Sequence, residues 1–308
     1  MSETTPAQLE TEALIDSWVL SLHARNLSPL TLRDYPSSAR MFARWMAAQG
    51  IGARELTAAR VRAWLAAEIE RTSAATAASH YRHVRVWLRW LAKEEEIPAN
   101  PAEGIPEPKV SRKLKPPLSD DDLAALLKAC AGNGFYERRD AAIIRVLTDT
   151  GMRVSGLCGL RYDPGHPDRN DVSLAARMLR ITLKGGDEHP VRIGNKTAAA
   201  LDRYLRARGR HPRAALPWLW VGKRGHLGVV GVEELLRRRA AQAGVTHVYP
   251  HRFRRTFASD WLDAGGSAEN LMRIAGWKSY TMVGLYTEEL AVTRAHEAHD
   301  RLARGDRV

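Results

Sequence analysis

A short stretch near the carboxyl end of the sequence collects side chains that together could hold an anion and attack it. His251 and Arg254 stand three residues apart, so a helix that begins at Pro250, a favoured first-turn residue, places both on one face of its opening turn. The backbone N–H groups of such a turn reinforce an anion site. A glycine that ends a helix precedes Trp277, and Tyr286 follows nine residues later. These are the groups that would bind a phosphodiester and attack it.

The order and spacing of these residues resemble the carboxyl-terminal signature of the tyrosine recombinases, also called the phage integrase family. The family pattern is His-x-x-Arg, then a Leu-Gly-His or Gly-Trp element, then a nucleophilic tyrosine. Here Gly276 and Trp277 form the second element and Tyr286 the third. Taken singly, these residues also fit ordinary roles, since Trp277 could be plain core and Tyr286 a half-buried packing residue. The resemblance requires another arginine and a lysine elsewhere in the chain.

Both required residues are present. Arg153 lies in TGMRVSGL, which has the Thr-Gly-x-Arg-x-Ser-x-Leu context of the family's first catalytic arginine. The family usually has an acidic residue where this chain has Gly156, so a carboxylate that orients the site must come from elsewhere or be absent.

The alternating apolar residues of MLRITLKGGDEHPVRI predict a hairpin that turns at Gly185 and Gly186. The resemblance gives Lys184, at the tip of its first strand, the role of the family's catalytic lysine.

The charge of the chain is unevenly distributed. Its 308 residues include 47 Lys and Arg against 35 Asp and Glu. Residues 1–110 hold 13 basic and 13 acidic side chains, whereas residues 111–308 hold 34 and 22. The excess favours a polyanionic partner such as nucleic acid, although an arginine-rich composition can also follow from a GC-rich genome. The sequence has no apolar run of about eighteen residues and no signal peptide, which predicts a cytoplasmic protein without a membrane span.

The first part of the sequence, residues 8–97, is predicted to form four amphipathic helices in a compact bundle. Ser28 before Pro29, and Thr57 before a further apolar pattern, predict helix starts. The fourth helix also has a basic stripe at helical spacing, formed by Arg82, Arg85, Arg89 and Lys93. The stripe is either an ordinary solvated surface or a set of phosphate contacts, and a DNA partner favours contacts. The tyrosine recombinases similarly begin with a small helical core-binding domain that clamps one side of the duplex.

Residues 98–117, rich in proline and basic side chains, are predicted to link this domain to a second one over residues 118–308. In the second domain Ser119 before three aspartates predicts a helix start, and further helices are predicted from about Arg138 and from Glu233. The polar carboxyl-terminal tail is predicted to form a helix. The predicted fold class is mainly α with a small β-hairpin or sheet: an N-terminal helical bundle, SAM-like and core-binding by resemblance, and an α+β tyrosine-recombinase catalytic domain.

The resemblance implies a site-specific recombinase that cleaves and rejoins double-stranded DNA through a 3′-phosphotyrosyl intermediate. The catalytic residues that it implies are Arg153, Lys184, His251, Arg254, Trp277 and Tyr286. The arginines would grip the non-bridging oxygens by their planar forks, and the histidine and the indole would add hydrogen bonds. The tyrosine would attack, and the lysine would protonate the leaving 5′ oxygen. No acidic cluster or His/Cys set suggests a metal, and a phosphotyrosine keeps the bond energy, so no cofactor is expected.

The resemblance also implies a tetramer around two duplexes, in which the C-terminal helix docks on a neighbouring protomer. Two other functions stay open at this level. A type IB topoisomerase would use similar groups to relax supercoils as a monomer, but the helical clamp and the integrase-like signature argue against it. A non-catalytic DNA-binding protein would be basic without needing all the catalytic groups in order. The sequence does not determine the target site, or the choice between integration, excision, dimer resolution and transposition.

Overall fold

The computed structural model of the chain describes residues 6–110, 116–182, 188–277, 279–281, 283–284, 295–296 and 298–307. It divides into two compact units, Met1–Lys113 and Leu114–Val308. Within the described ranges both units are mostly helical, and strands occur in the second unit. None of the helices in these ranges is long and apolar enough to cross a membrane. The mainly α architecture with small sheets confirms the predicted fold class.

Four α-helices form the first unit over residues 6–110, as predicted from apolar periodicity. Two of them begin at the predicted caps. Ser28 Oγ accepts from the backbone N–H of Thr31 at 3.2 Å, and Thr57 Oγ1 accepts from that of Arg60 at 3.3 Å. The helices are α1 (Pro6–Ala24), α2 (Pro29–Ala48), α3 (Ala58–Arg71) and α4 (Ala74–Lys93).

Large aromatic side chains fill the core of this bundle. Phe42 of α2 packs against Trp64 of α3 and Trp87 of α4, with ring centroids 4.7 Å and 6.3 Å away. All three are almost fully buried, so each removes a large apolar area from water. The segment after α4 also contributes, because Ile105 is buried and its carbonyl accepts from the Tyr81 hydroxyl at 2.9 Å. Ile105 lies within the predicted linker and packs against the N-terminal core.

The second unit is built mainly of helices, with α6 in contact with both α8 and α10. Its described helices are α5 (Asp120–Lys128), α6 (Phe135–Thr150), α7 (Val154–Gly159), α8 (Asn195–Arg208), α9 (Val229–Ala243), α10 (Pro250–Asp263) and α11 (Ala268–Ala275). The predicted cap of α5 is present: Ser119 Oγ accepts from the N–H of Asp122 at 3.1 Å, and the Asp122 carboxylate accepts in return from the N–H of Ser119 at 3.3 Å.

Two helices begin earlier than the sequence predicted. Helix α6 starts at Phe135 instead of Arg138, and α9 starts at Val229 instead of Glu233. Each follows a glycine in the extended conformation of an N-cap, without a side-chain capping bond. A glycine cap lacks the polar side chain that marks a helix start in a sequence. The predicted starts of α6 and α9 therefore lie a few residues after the observed ones.

The predicted hairpin belongs to a three-stranded antiparallel sheet. Its strands are β1 (Val172–Ser173), β2 (Met178–Thr182) and β3 (Glu188–Arg192), in the order β1-β2-β3. Leu179 pairs with Val191, and both are buried on one face of the sheet. The predicted turn at Gly185 and Gly186 lies outside the described residues. A separate two-stranded sheet is formed by β4 (Val221–Gly222) and β5 (Gly225–His226).

A buried carboxylate joins α9 to α6. Asp140 of α6 is fully buried, and its oxygens accept from Arg139 at 2.8 Å, from Arg238 at 3.0 Å and from Arg239 at 2.9 Å. Arg239 is itself buried and also donates to the carbonyl of Ala129 at 2.9 Å. Removing one partner of such a cluster is costly, because it leaves a charge buried without compensation. Part of the basic excess of the second unit therefore compensates a buried carboxylate within the fold.

Candidate active site

The turn between α6 and α7 places Arg153 at the surface. Gly151 ends α6 with a left-handed conformation, φ 55°. The Thr150 hydroxyl donates to the carbonyl of Val146 at 2.7 Å and accepts from the N–H of Met152 at 3.3 Å. Arg153 then takes the extended conformation of an N-cap, starts α7 and is exposed to solvent. The Thr-Gly-x-Arg motif is thus a helix stop followed at once by a helix start.

Gly151 has two physical reasons to be glycine. Its positive φ is strained for any residue that carries a Cβ. A Cβ added there would also lie 2.6 Å from Cδ1 of Phe257 in α10, well inside van der Waals contact. Helix α10 therefore packs directly on the backbone of this turn. Arg254, on the same helix, consequently lies within hydrogen-bond reach of the turn.

Arg254 is a buried bridge between three elements. Its Nη1 donates to the carbonyl of Gly151 at 2.8 Å, and its Nη2 donates to the carbonyl of Ala275 in the last turn of α11, also at 2.8 Å. Arg254 is only 3% exposed, so its charge depends on acceptors within the protein. Helix α10 begins at Pro250, as predicted, and places His251 one turn before Arg254.

Trp277 packs against the guanidinium of Arg254. Gly276, with φ 64°, ends α11 as predicted, and the backbone N–H of Trp277 donates to the carbonyl of Met272 at 2.9 Å. The Cζ atom of Arg254 lies 4.9 Å from the indole centroid, a cation–π distance. Trp277 is 5% exposed and belongs to a small apolar cluster with Leu271. Its predicted hydrogen bond to a phosphate stays a prediction.

Arg153, His251 and Arg254 form one electrostatic group. The pKa of His251 is lowered from its ordinary value, first by desolvation of the ring and then by the positive charges of Arg254 and Arg153. Both guanidinium groups therefore act on the same imidazole. A lowered pKa keeps His251 neutral at pH 7, so one ring nitrogen donates and the other accepts.

Two of the predicted catalytic residues, Lys184 and Tyr286, lie outside the described residues. Their flanking residues are described. Thr182 ends β2 two residues before Lys184, and Val283 joins the apolar cluster of Trp277 three residues before Tyr286. In the described part of the chain, no group of three or more His, Cys, Asp or Glu side chains could hold a metal ion.

A histidine that the sequence did not single out connects the hairpin to this site. His189 of β3 pairs with Ile181 of β2, and its Nε2 donates to the carbonyl of Ile274 at 2.9 Å. The next carbonyl of α11, that of Ala275, accepts from Arg254. The hairpin and the buried arginine thus hold adjacent residues of one helix end. A histidine within a strand pattern gave no signal of this bond, because its partner is 85 residues away.

Gly156, the departure from the family pattern, lies against the same hairpin. A Cβ at this position would be 3.0 Å from Cγ2 of Ile181 in β2, closer than ordinary contact. A side chain here would therefore require the Ile181 side chain to shift by a few tenths of an ångström. The absence of a side chain at Gly156 and the position of β2 fit each other.

The predicted DNA-binding stripe lies on α4 in the first unit. Arg82 Nη1 is 3.9 Å from Glu107 Oε2, and Arg85 Nη1 is 3.4 Å from Glu107 Oε1. Arg89 and Lys93 are exposed. A carboxylate from the predicted linker thus partly neutralises half of the stripe, in surface pairs that contribute little to stability.

The chain matches two family profiles in consecutive parts of its length. Residues 117–291 match the profile described as "Phage integrase family", and residues 15–95 match "Phage integrase, N-terminal SAM-like domain". The chain belongs to the phage integrase family. The resemblance inferred from His251, Arg254 and Tyr286 is therefore confirmed.

Relatives of this family member match it along most of both lengths. "Tyrosine recombinase XerC" of Corynebacterium efficiens is 33% identical over 263 residues, 84% of this chain and 81% of that protein. The XerC protein of Pelobacter propionicus is 30% identical over 289 residues, 90% of each chain. "Tyrosine recombinase XerD" of Shewanella oneidensis is 29% identical and covers 94% of this chain and 96% of its own. The chain is accordingly an enzyme of site-specific DNA recombination, and neither a topoisomerase nor a non-catalytic DNA-binding protein is favoured.

Solved structures of family members share the fold. The XerH site-specific recombinase bound to palindromic difH substrate has a TM-score of 0.72 at 17% identity and covers 95% of this chain and 84% of its own. A lambda integrase tetramer bound to a Holliday junction has a TM-score of 0.68 at 18% identity, with 90% and 76% covered. At such identities the likeness is one of fold, and it agrees with the predicted architecture.

Proposed function

We propose that the chain cleaves DNA by attack of Tyr286 on a phosphodiester held by Arg153, His251 and Arg254. The observation that carries this proposal is the grouping of those three side chains, in which both guanidinium groups lower the pKa of one imidazole. Three such donors suit the non-bridging oxygens of a phosphate, where negative charge develops during attack. Tyr286 lies nine residues beyond Trp277, whose ring contacts Arg254.

The reaction exchanges one phosphodiester bond for another. The phenolic oxygen of Tyr286 attacks the phosphorus, and the bond from phosphorus to the 5′ oxygen breaks. The products are a 3′-phosphotyrosyl strand and a strand with a 5′-hydroxyl, whose proton comes from Lys184. Attack by the 5′-hydroxyl of another strand releases Tyr286 and joins the new strand. The bond energy is kept throughout, so the exchange itself consumes no ATP.

His251 takes part in this scheme as a neutral imidazole. Its lowered pKa leaves one nitrogen able to accept while the other donates, so it can accept the phenolic proton or hydrogen-bond the phosphate. A permanent cation at the position of His251 would stabilise negative charge but could not accept a proton. The two arginines already supply positive charge.

The proposal assigns residues 8–97 to a DNA-clamping domain, residues 98–117 to a linker and residues 118–308 to a catalytic domain. The family matches over residues 15–95 and 117–291 support these bounds. The partner is double-stranded DNA at recombination sites in the cytoplasm. A lambda integrase tetramer on a Holliday junction supports, by likeness of fold, a tetramer of this chain on two duplexes. In it the C-terminal helix of each protomer would dock on a neighbour.

Covalent trapping tests the nucleophile. The substrate is a set of duplexes selected for binding from a random-sequence pool, each nicked so that the short 5′ product diffuses away and cannot rejoin. The wild-type chain should form an adduct with labelled DNA that survives denaturing electrophoresis. Tyr286→Phe should form none and should bind the same duplexes as tightly, because it removes only the attacking oxygen.

The matched control is Tyr280→Phe, since Tyr280 is the nearest other tyrosine and is 63% exposed. It should form the adduct at the wild-type rate. Retention of the adduct in Tyr286→Phe, or its loss in Tyr280→Phe, would contradict the assignment of the nucleophile.

A further inference from the structure

The first unit contains a buried carboxylate that the proposed strand-cleavage chemistry does not use. Glu68 of α3 is 3% exposed. Its Oε2 accepts from Nε of Arg71 at 2.9 Å, and its Oε1 accepts from Nη2 of Arg71 and from Nδ1 of His80, both at 2.7 Å. An ionised carboxylate only accepts hydrogen bonds, so Nδ1 of His80 carries the proton. The carboxylate therefore fixes the direction of a guanidinium fork and of an imidazole.

Glu68 stays ionised in this position. Burial alone raises its pKa, but the hydrogen bonds and charges of Arg71 and His80 outweigh burial, and the pKa is lowered from its ordinary value. A buried ion pair costs desolvation, and well-packed apolar residues of similar volume often stabilise a fold as well or better. The property that an apolar residue cannot provide here is the orientation of two donors.

The oriented groups face a cleft of about 480 Å³ where α2, α3 and α4 meet. The side chain of Arg71 is 59% exposed and that of His80 is 27% exposed, whereas that of Glu68 is 4% exposed. The anion is thus hidden, whereas Nη1 of Arg71 lies outside the two bonds to Glu68. The cleft is lined by Ser37, Ser38, Met41, Arg44, Arg71 and His80. Its lining therefore adds a second guanidinium and hydroxyl groups to the oriented guanidinium of Arg71.

We propose that this cleft binds a backbone phosphate of duplex DNA, with Arg71 and Arg44 as donors and Glu68 as the residue that positions Arg71. The inference rests on the proposed function, in which the first unit clamps a duplex. A phosphodiester offers two non-bridging oxygens, which match a guanidinium fork together with neighbouring polar donors. A contact of this kind holds every DNA sequence equally and fixes the orientation of the protein on the duplex.

Replacement of Glu68 by glutamine tests whether the residue acts by positioning Arg71 or by its charge alone, because the two roles predict opposite changes in DNA affinity. Glu68→Gln removes a negative charge, so if Glu68 acted by charge alone, the variant would bind DNA more tightly. If Glu68 orients the guanidinium of Arg71, the variant binds more weakly, because one end of a neutral amide is itself a donor and cannot accept from Arg71. The matched control is Glu70→Gln, on the same helix and exposed, with the same change of charge. We expect Glu68→Gln to bind a random-sequence pool of duplexes about fivefold to tenfold more weakly than Glu70→Gln.

A second variant answers the same question at the donor itself. Arg71→Ala should weaken binding to the pool by about fivefold to tenfold and should lower the slope of log affinity against log salt by about 0.9, the loss of one phosphate contact. Its control is Arg40→Ala, because Arg40 is also a partly exposed arginine in an ion pair, 2.7 Å from Asp16. The control should keep the wild-type slope. Fluorescence anisotropy of the full-length chain at several salt concentrations measures both quantities.

Two results would overturn the phosphate site. One is equal binding by Glu68→Gln and Glu70→Gln together with an unchanged salt slope in Arg71→Ala. The other is a changed base preference of Arg71→Ala, found by selection from the pool, without a change in slope, which would indicate a base contact. The proposed function is tested separately by covalent trapping at Tyr286. If covalent trapping showed that Tyr286 is not the nucleophile, while Glu68→Gln still bound DNA more weakly than Glu70→Gln, the phosphate site would remain supported.

Discussion

The two arginines proposed to hold the reacting phosphate have opposite surroundings. Arg153 is an exposed N-cap of α7, directly after a tight turn. Arg254 is 3% exposed, donates to the carbonyls of Gly151 and Ala275, and stacks on Trp277. The comparison separates two tasks within one site. An exposed arginine can contribute charge to a ligand at little cost to folding, whereas a buried arginine also connects the elements that form the site.

This difference has an energetic consequence. Hydrogen bonds from a charged donor contribute about 1.5–3 kcal/mol each, and a carbonyl that loses its buried donor is left desolvated. Arg254 makes two such bonds between elements distant in sequence. We therefore expect substitutions at Arg254 to affect both the stability and the activity of the protein, and those at Arg153 to affect activity alone.

The largest expected effect is on the cleavage rate. Arg153→Ala should slow single-turnover cleavage by about 10²–10³-fold, as does the loss of one donor to a developing oxyanion. Lys184→Ala should slow it by about 10²–10⁴-fold, the range of a general acid. On a substrate with sulfur in place of the bridging 5′ oxygen, Lys184→Ala should recover most of its rate, because a thiolate leaves without a proton. Arg153→Ala should remain slow.

The control for this experiment is Arg206→Ala, an exposed arginine paired with Asp202 at 2.9 Å. It should cleave both substrates at the wild-type rate. Equal defects of Lys184→Ala on the two substrates would remove Lys184 as the acid, and a rescue of Arg153→Ala by sulfur would remove the distinction between charge and proton donation.

Arg254→Ala should lower the free energy of unfolding by about 3 kcal/mol, since it leaves two buried carbonyls without their donor. Arg254→Lys should recover little of this loss, because a single ammonium on a flexible stem cannot reproduce the planar fork that bridges two acceptors. Urea unfolding of these variants and of Arg153→Ala measures the differences in the free energy of unfolding. Arg153→Ala should lie within about 0.5 kcal/mol of the wild type. Equal stability of all variants would show that burial of Arg254 has no structural role.

Gly151→Ala should affect both arginines together, because the residue precedes Arg153 in the turn and accepts from Arg254. A Cβ would be strained at φ 55° and would overlap Phe257, so we expect a loss of about 2 kcal/mol in the free energy of unfolding. Gly159→Ala is the matched control, since an added Cβ there meets no atom within 4 Å. Cleavage should fall in the first variant only, and wild-type stability and rate in Gly151→Ala would contradict the role of this turn.

The smallest expected effect concerns the titration of His251. Because nearby positive charge disfavours the imidazolium ion, Arg153→Ala should raise the pKa of His251 part of the way towards its ordinary value of 6.5. Histidine NMR titration measures this shift, and an unchanged pKa would mean that Arg153 does not act on the imidazole.

The same lowered pKa has a consequence for stability. As pH falls below 6.5 the unfolded chain protonates His251 before the folded chain does, so the wild type should lose stability progressively in that range. Arg153→Ala should lose less, because its folded and unfolded pKa values are closer together. Urea unfolding at pH 7.5 and pH 5.5 checks the difference, which should be well below that of Arg254→Ala.

Local features of this protein were determined by the sequence alone. Ser28, Thr57 and Ser119 cap the helices that they were predicted to cap, and Pro250 begins α10. These features depend on neighbours three or four residues away, where the type and spacing of side chains decide the geometry. The family was recognised from the same kind of information, because its motifs are local.

Only the tertiary structure decided what the buried charges do. Arg254 was expected to face a ligand, and the structure adds two acceptors within the protein, 103 residues away at Gly151 and 21 residues away at Ala275. Glu68 had no visible role until α4 brought His80 to it from 12 residues away. A charged side chain has the same appearance in a sequence whether it is solvated or enclosed. Its role depends on desolvation and on partners from other elements, and both arise only when the chain has folded.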